Sequence, residues 1–151
     1  MVCLGNICRS PMAEGILQQK LKEHQLDNIV QVDSCGFDRN RQGDPPFYMA
    51  IQTAKKHGIN IENQQQRLFT PADFEHFDKI YVMDGNNYRL VKNMARNDGD
   101  MKKVDYLLNV VYPNENRHVP DPWNGTEKNY EHAFRLIETA CEAIVRKLSK
   151  K

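Results

Sequence analysis

Apolar positions recur at the helical period over residues 12–24, where Ala13, Ile16, Leu17 and Leu21 share one face. Pro11 fits the first turn of that helix, because its fixed φ suits the position and its missing N–H costs nothing there. Ile29-Val30-Gln31-Val32 reads as a short buried strand. Phe47, Ala50, Ile51 and Ala54 mark a second helix, with Gly58 as its stop signal. Thr70-Pro71 predicts the start of a short helix with Asp73 in its first turn. Lys79-Ile80-Tyr81-Val82-Met83 predicts a strand that ends at Asp84, placed to cap the next helix. Val104 to Leu107 reads as a last short strand. Tyr130, Phe134, Ile137, Cys141, Ile144 and Leu148 form the long apolar stripe of a terminal helix.

Strands that alternate with helices imply an α/β fold with a parallel sheet covered on both faces. Ligands in such folds bind beyond the carboxyl ends of the strands. No internal repeat, low-complexity run or linker interrupts the pattern, and 151 residues favour one domain over residues 1–151.

Composition narrows the function by exclusion. The net charge of +1 provides no global field for nucleic acid or an anionic membrane, so any attraction for phosphate must be local. Lys147, Lys150 and Lys151 read as a solvated helix end that suits the dipole. The cysteines, Cys3, Cys8, Cys35 and Cys141, match no common zinc spacing and are too sparse for a disulfide scaffold. The expectation is a reducing, cytoplasmic setting, with no metal, no cofactor, and no signal peptide or long apolar run.

The chemistry concentrates in Val2-Cys3-Leu4-Gly5-Asn6-Ile7-Cys8-Arg9-Ser10-Pro11. A cysteine, five residues and an arginine suit a loop whose backbone N–H groups curl around one anion, with a nucleophile at its base. Gly5 and Asn6 tolerate left-handed dihedrals. Arg9 can grip two phosphate oxygens with its planar fork, and the helix behind Pro11 turns its positive end to the same spot. The ordinary alternative, a buried cysteine in a plain strand-to-helix loop, gives no reason for Arg9 and Ser10 at this spacing.

At these residues the chain resembles the low-molecular-weight protein tyrosine phosphatases. The resemblance extends to Asp33-Ser34, His57-Gly58-Ile59, the segment from Phe77-Asp78 to Met83-Asp84, and Val119-Pro120-Asp121-Pro122-Trp123. It implies four parallel strands in the order 2-1-3-4. Only Met1 and Val2 precede Cys3, so the first strand reads as truncated, and a native start upstream is expected.

The resemblance also implies the roles. Cys3 is the nucleophile that forms a phosphocysteine, and Arg9 holds the phosphoryl oxygens. Asp121 is the general acid and then the base that activates water, although Asp-Pro is also a common turn opener. Ser10 hydrogen-bonds Cys3. Leu4, Gly5, Asn6, Ile7 and Cys8 complete the phosphate loop, and Cys8 is the partner of Cys3 under oxidation. Asn6, Ser10, Ser34 and His57 match a network that holds the loop; for His57, a plain helix-end role beside Gly58 is equally open. Trp123, with Leu4 and Ile7, lines the mouth for an aryl ring. Two departures concern substrate choice: Asn124 replaces a second aromatic residue, and a wall position often aromatic in the family aligns with Asn40. The implied partners are phosphotyrosine proteins or peptides, and the chain a monomer or weak dimer.

Other readings of the same fold compete. An arsenate reductase needs a cysteine relay, and Cys35 and Cys141 are not a closely spaced pair. Phosphoarginine phosphatases carry threonine where this chain has Ile7. A non-catalytic phosphate-binding module has no need of both Cys3 and Asp121.

Overall fold

A computed structural model describes residues 1–150. Helix α1 (Arg9–Glu23) starts directly behind the cysteine loop and buries Met12, Ala13, Ile16, Leu17 and Leu21. That face packs on α6 (Glu127–Ser149), whose stripe Tyr130, Phe134, Ile137 and Cys141 is fully covered. Thr126 and Asn129 cap α6 reciprocally; Asn129 Oδ1 accepts the Thr126 N–H at 2.8 Å. Helix α2 (Tyr48–Lys56) joins the pair through the buried Ala50 and Ala54. Gly58 ends its run at φ +77°, a left-handed turn that favours glycine, as the stop signal predicts.

The sheet lies against this layer. Strands β1 (Ile80–Val82) and β2 (Val104–Tyr106) pair in parallel, with Ile80 opposite Val104 and Val82 opposite Tyr106. Val2 lies beside them through single parallel bridges to Val82 and Cys35. Among the described residues only β1 and β2 form a continuous ladder. The short helices α3 (Ala72–His76), α4 (Gly85–Met94) and α5 (Asp98–Met101) come from the segments around these strands. Side chains alternate along β1: Ile80 and Val82 join Phe74 and Val91 in one core cluster, whereas Tyr81 and Met83 face the cluster of α1, α2 and α6.

Residues 29–32 do not form the expected strand. The amides of Ile29 and Val30 both turn back to Leu26 O at 3.1 Å, so a turn after α1 uses the groups a ladder would need. Ile29 is 77% exposed, and parallel pairing begins only at Cys35. The last strand stops at Tyr106, where Leu107 enters a 3-10 turn. The fold thus sets the loop after Val2 beside Asp84, the residue that follows β1 and Met83. Among the described residues no helix is long and apolar enough to cross a membrane.

Candidate active site

The loop from Cys3 to Arg9 is held from within. Asn6 takes φ +54°, the left-handed conformation its short polar side chain tolerates. The Asn6 N–H points at Cys3 Sγ from 3.3 Å. Arg67 N donates to Asn6 Oδ1 at 3.1 Å, which fixes the side-chain amide with its nitrogen toward the serines. Asn6 Nδ2 then donates to Ser10 Oγ at 2.8 Å and to Ser34 Oγ at 3.0 Å. Ser34 passes its own hydrogen to Glu14 Oε1 at 2.9 Å. With Asn6 as its donor, Ser10 keeps its hydroxyl hydrogen for Cys3 Sγ, 3.0 Å away. Gly36 backs the loop; a Cβ there would stand 2.7 Å from Leu4 O and 2.9 Å from Asn6 N.

Arg9 is 2% exposed and anchored on one side only. Its Nη1 donates to Asp84 Oδ2 at 2.7 Å and to Val119 O at 2.9 Å. Its Nη2 faces Asp121 Oδ2 at 3.7 Å. Burial pushes the Asp84 carboxyl up, but the Asn87 N–H and Arg9 outweigh it and hold the group below the ordinary carboxylate range.

These groups meet in one cavity of about 120 Å³. Cys3, Gly5, Cys8 and Arg9 line it together with Leu4, Ile7, Asp121 and Trp123. Asp121 is exposed and receives the Trp123 N–H on Oδ1 at 3.1 Å. The Trp123 ring packs edge-on to Phe47 at 4.7 Å, and the Arg41 guanidinium stands 5.0 Å over it. A larger groove of about 400 Å³, beside Leu21, Val30 and Phe77, contains no thiol and no arginine.

Burial raises the other three thiols. Burial pushes the Cys8 thiol up to about 12, although a hydrogen bond with Tyr130 at 3.4 Å works the other way. Burial likewise lifts Cys35 and Cys141 to about 12.

The structure brings together Cys3, Arg9, Asp121, Ser10, Asn6 and Ser34, and sets Leu4, Gly5, Ile7, Cys8 and Trp123 along the cavity. His57 is not among them. Its Nε2 bonds Glu131 Oε2 at 2.8 Å and its ring stacks on Phe134 at 4.1 Å, because the end of α2 faces α6 rather than the loop. Asn40 does not line the cavity; Asp38 and Arg41, from the same 3-10 turn, do. Sequence reasoning missed Asp84 as the holder of Arg9, Gly36 as the backing of the loop, and Arg67 as the residue that orients Asn6. Asp84 carried a signal, since it was legible as a helix cap, but its second oxygen had no local partner to betray it.

The family model described as low molecular weight phosphotyrosine protein phosphatase matches residues 1–151. The low molecular weight phosphotyrosine protein phosphatase of Gallus gallus is 35% identical over 97% of this chain and 92% of its own length. A crystal structure of the protein tyrosine phosphatase from Entamoeba histolytica, with Hepes in the active site, superposes with a TM-score of 0.91 at 30% identity, over 99% of this chain and 94% of that one. Wzb of Vibrio vulnificus, in complex with benzylphosphonate, gives a TM-score of 0.84 at 30% identity, over 97% and 94% of the two chains.

Proposed function

Because the chain belongs to the low molecular weight phosphotyrosine protein phosphatase family, and is therefore a cysteine-dependent phosphatase, we propose that it hydrolyses phosphotyrosine through a phosphocysteine on Cys3. The observation that carries this reading is the Cys3 sulfur, 3.0 Å from the Ser10 hydroxyl, in a cavity that Arg9 and Asp121 also line.

In the first step the Cys3 thiolate attacks phosphorus and the bond to the phenol oxygen breaks. Ser10 and the Asn6 N–H support the sulfur. Arg9, steered by Asp84 and Val119 O through Nη1, offers its remaining N–H groups to two equatorial oxygens as charge redistributes. Asp121 gives its proton to the leaving oxygen. In the second step the Asp121 carboxylate takes a proton from water, which attacks the phosphocysteine and releases inorganic phosphate and the free thiolate. Trp123, Leu4 and Ile7 flank the aryl ring. The benzylphosphonate bound by the Vibrio vulnificus relative is an aromatic group beside a phosphorus oxyanion, the shape this cavity suits.

We read residues 1–151 as one phosphatase domain that acts on phosphotyrosine proteins or peptides in the cytoplasm; the bridges from Val2 to Cys35 and Val82 support its sheet order of 2-1-3-4. The arsenate reductase reading is disfavoured because Cys35 and Cys141 are buried, are not a closely spaced pair, and have thiols raised by burial. Turnover of para-nitrophenyl phosphate tests the proposal. Cys3→Ser should abolish it and leave vanadate or phosphate binding measurable; substantial residual turnover removes Cys3 from the nucleophile role.

A further inference from the structure

His118 precedes the Val119-Pro120-Asp121 run and reaches back to the start of α4. Its Nε2 accepts the Gly85 N–H at 3.3 Å, which requires that nitrogen to be unprotonated. Its ring lies parallel to Tyr106, with centroids 6.0 Å apart, and Tyr106 stacks in turn on Tyr88 at 5.3 Å. A Cβ on Gly85 would stand 3.5 Å from His118 Nε2 and 3.4 Å from Tyr106 Oη, so the imidazole sits over bare backbone.

The next residue is docked on the same short segment. Val119 N donates to Met83 O at 2.8 Å, and Val119 O takes Arg9 Nη1 at 2.9 Å. Asp84, between Met83 and Gly85, takes the same Arg9 nitrogen at 2.7 Å. Residues 83–85 thus receive both the guanidinium and the approach to the Asp121 loop. Beyond Val119 the loop has little backbone to tie down, since Pro120 and Pro122 have no N–H to donate.

We propose that His118 is a positioning residue for proton transfer, resting on the reading of Asp121 as general acid. It locks the entry of the Asp121 loop onto the N-terminus of α4 and onto Tyr106. Without its acceptor, the loop loses its side-chain anchor beside Gly85, and Asp121 spends less time within reach of the leaving oxygen. The cost falls on substrates whose leaving group needs a proton and spares those that do not.

The test compares kcat/KM for phenyl phosphate and for para-nitrophenyl phosphate, whose leaving group needs little protonation. His118→Phe keeps a ring over Tyr106 without an acceptor, His118→Gln keeps an acceptor, and His118→Ala keeps neither. We expect His118→Phe and His118→Ala to lose about tenfold on phenyl phosphate and no more than about threefold on para-nitrophenyl phosphate. His118→Gln should stay near wild type, and melting temperatures should hold, since the side chain is exposed. An equal loss on both substrates, or no loss, overturns the proposal. Asp121→Asn is run beside them. If it is selective for the poor leaving group and His118→Phe is not, the positioning role alone fails; if Asp121→Asn shows no selectivity, the general-acid reading fails and takes this inference with it.

Discussion

Arg9 and Asp84 are joined at 2.7 Å by one carboxylate oxygen, while the other caps α4 through the Asn87 N–H at 2.9 Å. One side chain thus fixes the arginine of the cysteine loop to the end of a strand and the start of a helix. Arg9 lies at 3% side-chain exposure and Asp84 at 20%, so water screens the pair weakly.

Asp84→Asn separates the two duties. Asparagine caps a helix about as well as aspartate, so α4 should survive, but Arg9 loses its charge partner. A stability loss of about 2–3 kcal/mol is expected at neutral pH, below the roughly 3–5 kcal/mol for a fully buried pair because Asp84 retains some solvent. Catalysis should fall as well. The folded-state pKa of Asp84 is depressed, so its contribution is present above the unfolded carboxylate value near about 3.9 and is lost as pH falls through the lower folded value. Urea denaturation at neutral pH and in acid should show the gap between wild type and variant closing in acid; a gap of constant size would remove the ion pair as its cause.

Cys3 should be the one thiol that alkylates quickly. Burial pushes the thiols of Cys8, Cys35 and Cys141 up to about 12, whereas the Cys3 sulfur lies 3.0 Å from the Ser10 hydroxyl. Brief iodoacetamide treatment followed by peptide mapping should label Cys3 first. Ser10→Ala removes the hydroxyl 3.0 Å from its sulfur and should slow that labelling several-fold at a fixed, mildly acidic pH. Equal labelling of Cys8 would contradict its raised thiol.

Asp121→Asn should lower kcat/KM for phenyl phosphate by about 10²–10⁴-fold, the usual range for a positioned acid. The loss should shrink for para-nitrophenyl phosphate. A uniform loss would make Asp121 a structural residue of the Trp123 turn, whose amide it already accepts at 3.1 Å.

The parts of the site legible in the sequence were those whose partners lie close by in the chain. The run from Cys3 to Pro11 carries its own turn residues and helix start, so its curl could be read directly. The stripes of α1 and α6 repeat often enough for the helical period to declare itself. The run Ile29–Val32 is too short for periodicity to separate a strand from a turn, and the Leu26 carbonyl decided for the turn. Gly36, Arg67 and the second oxygen of Asp84 act on residues far away along the chain, and no spacing rule reports such partners. His57 had two readings open, the loop network implied by the resemblance and a helix end beside Gly58, and packing on Phe134 and Glu131 keeps it at the helix end.

The orientation of Asn6 has a chemical consequence. Arg67 N, Asn6, Ser10 and Cys3 form a relay in which every hydrogen points toward the sulfur. Such a relay has a polarity, and one atom sets it. Hydrolytic ageing of Asn6 to aspartate would change the fold little in shape and replace the NH₂ with an oxygen. Ser10 would then turn its hydrogen to the new carboxylate, away from the Cys3 sulfur, and a negative charge would sit beside that sulfur. An Asn6→Asp protein should therefore be folded by circular dichroism yet nearly inert, whereas a variant that kept wild-type turnover would mean the relay has no preferred direction. Ageing at a single amide could silence this enzyme while leaving it well folded.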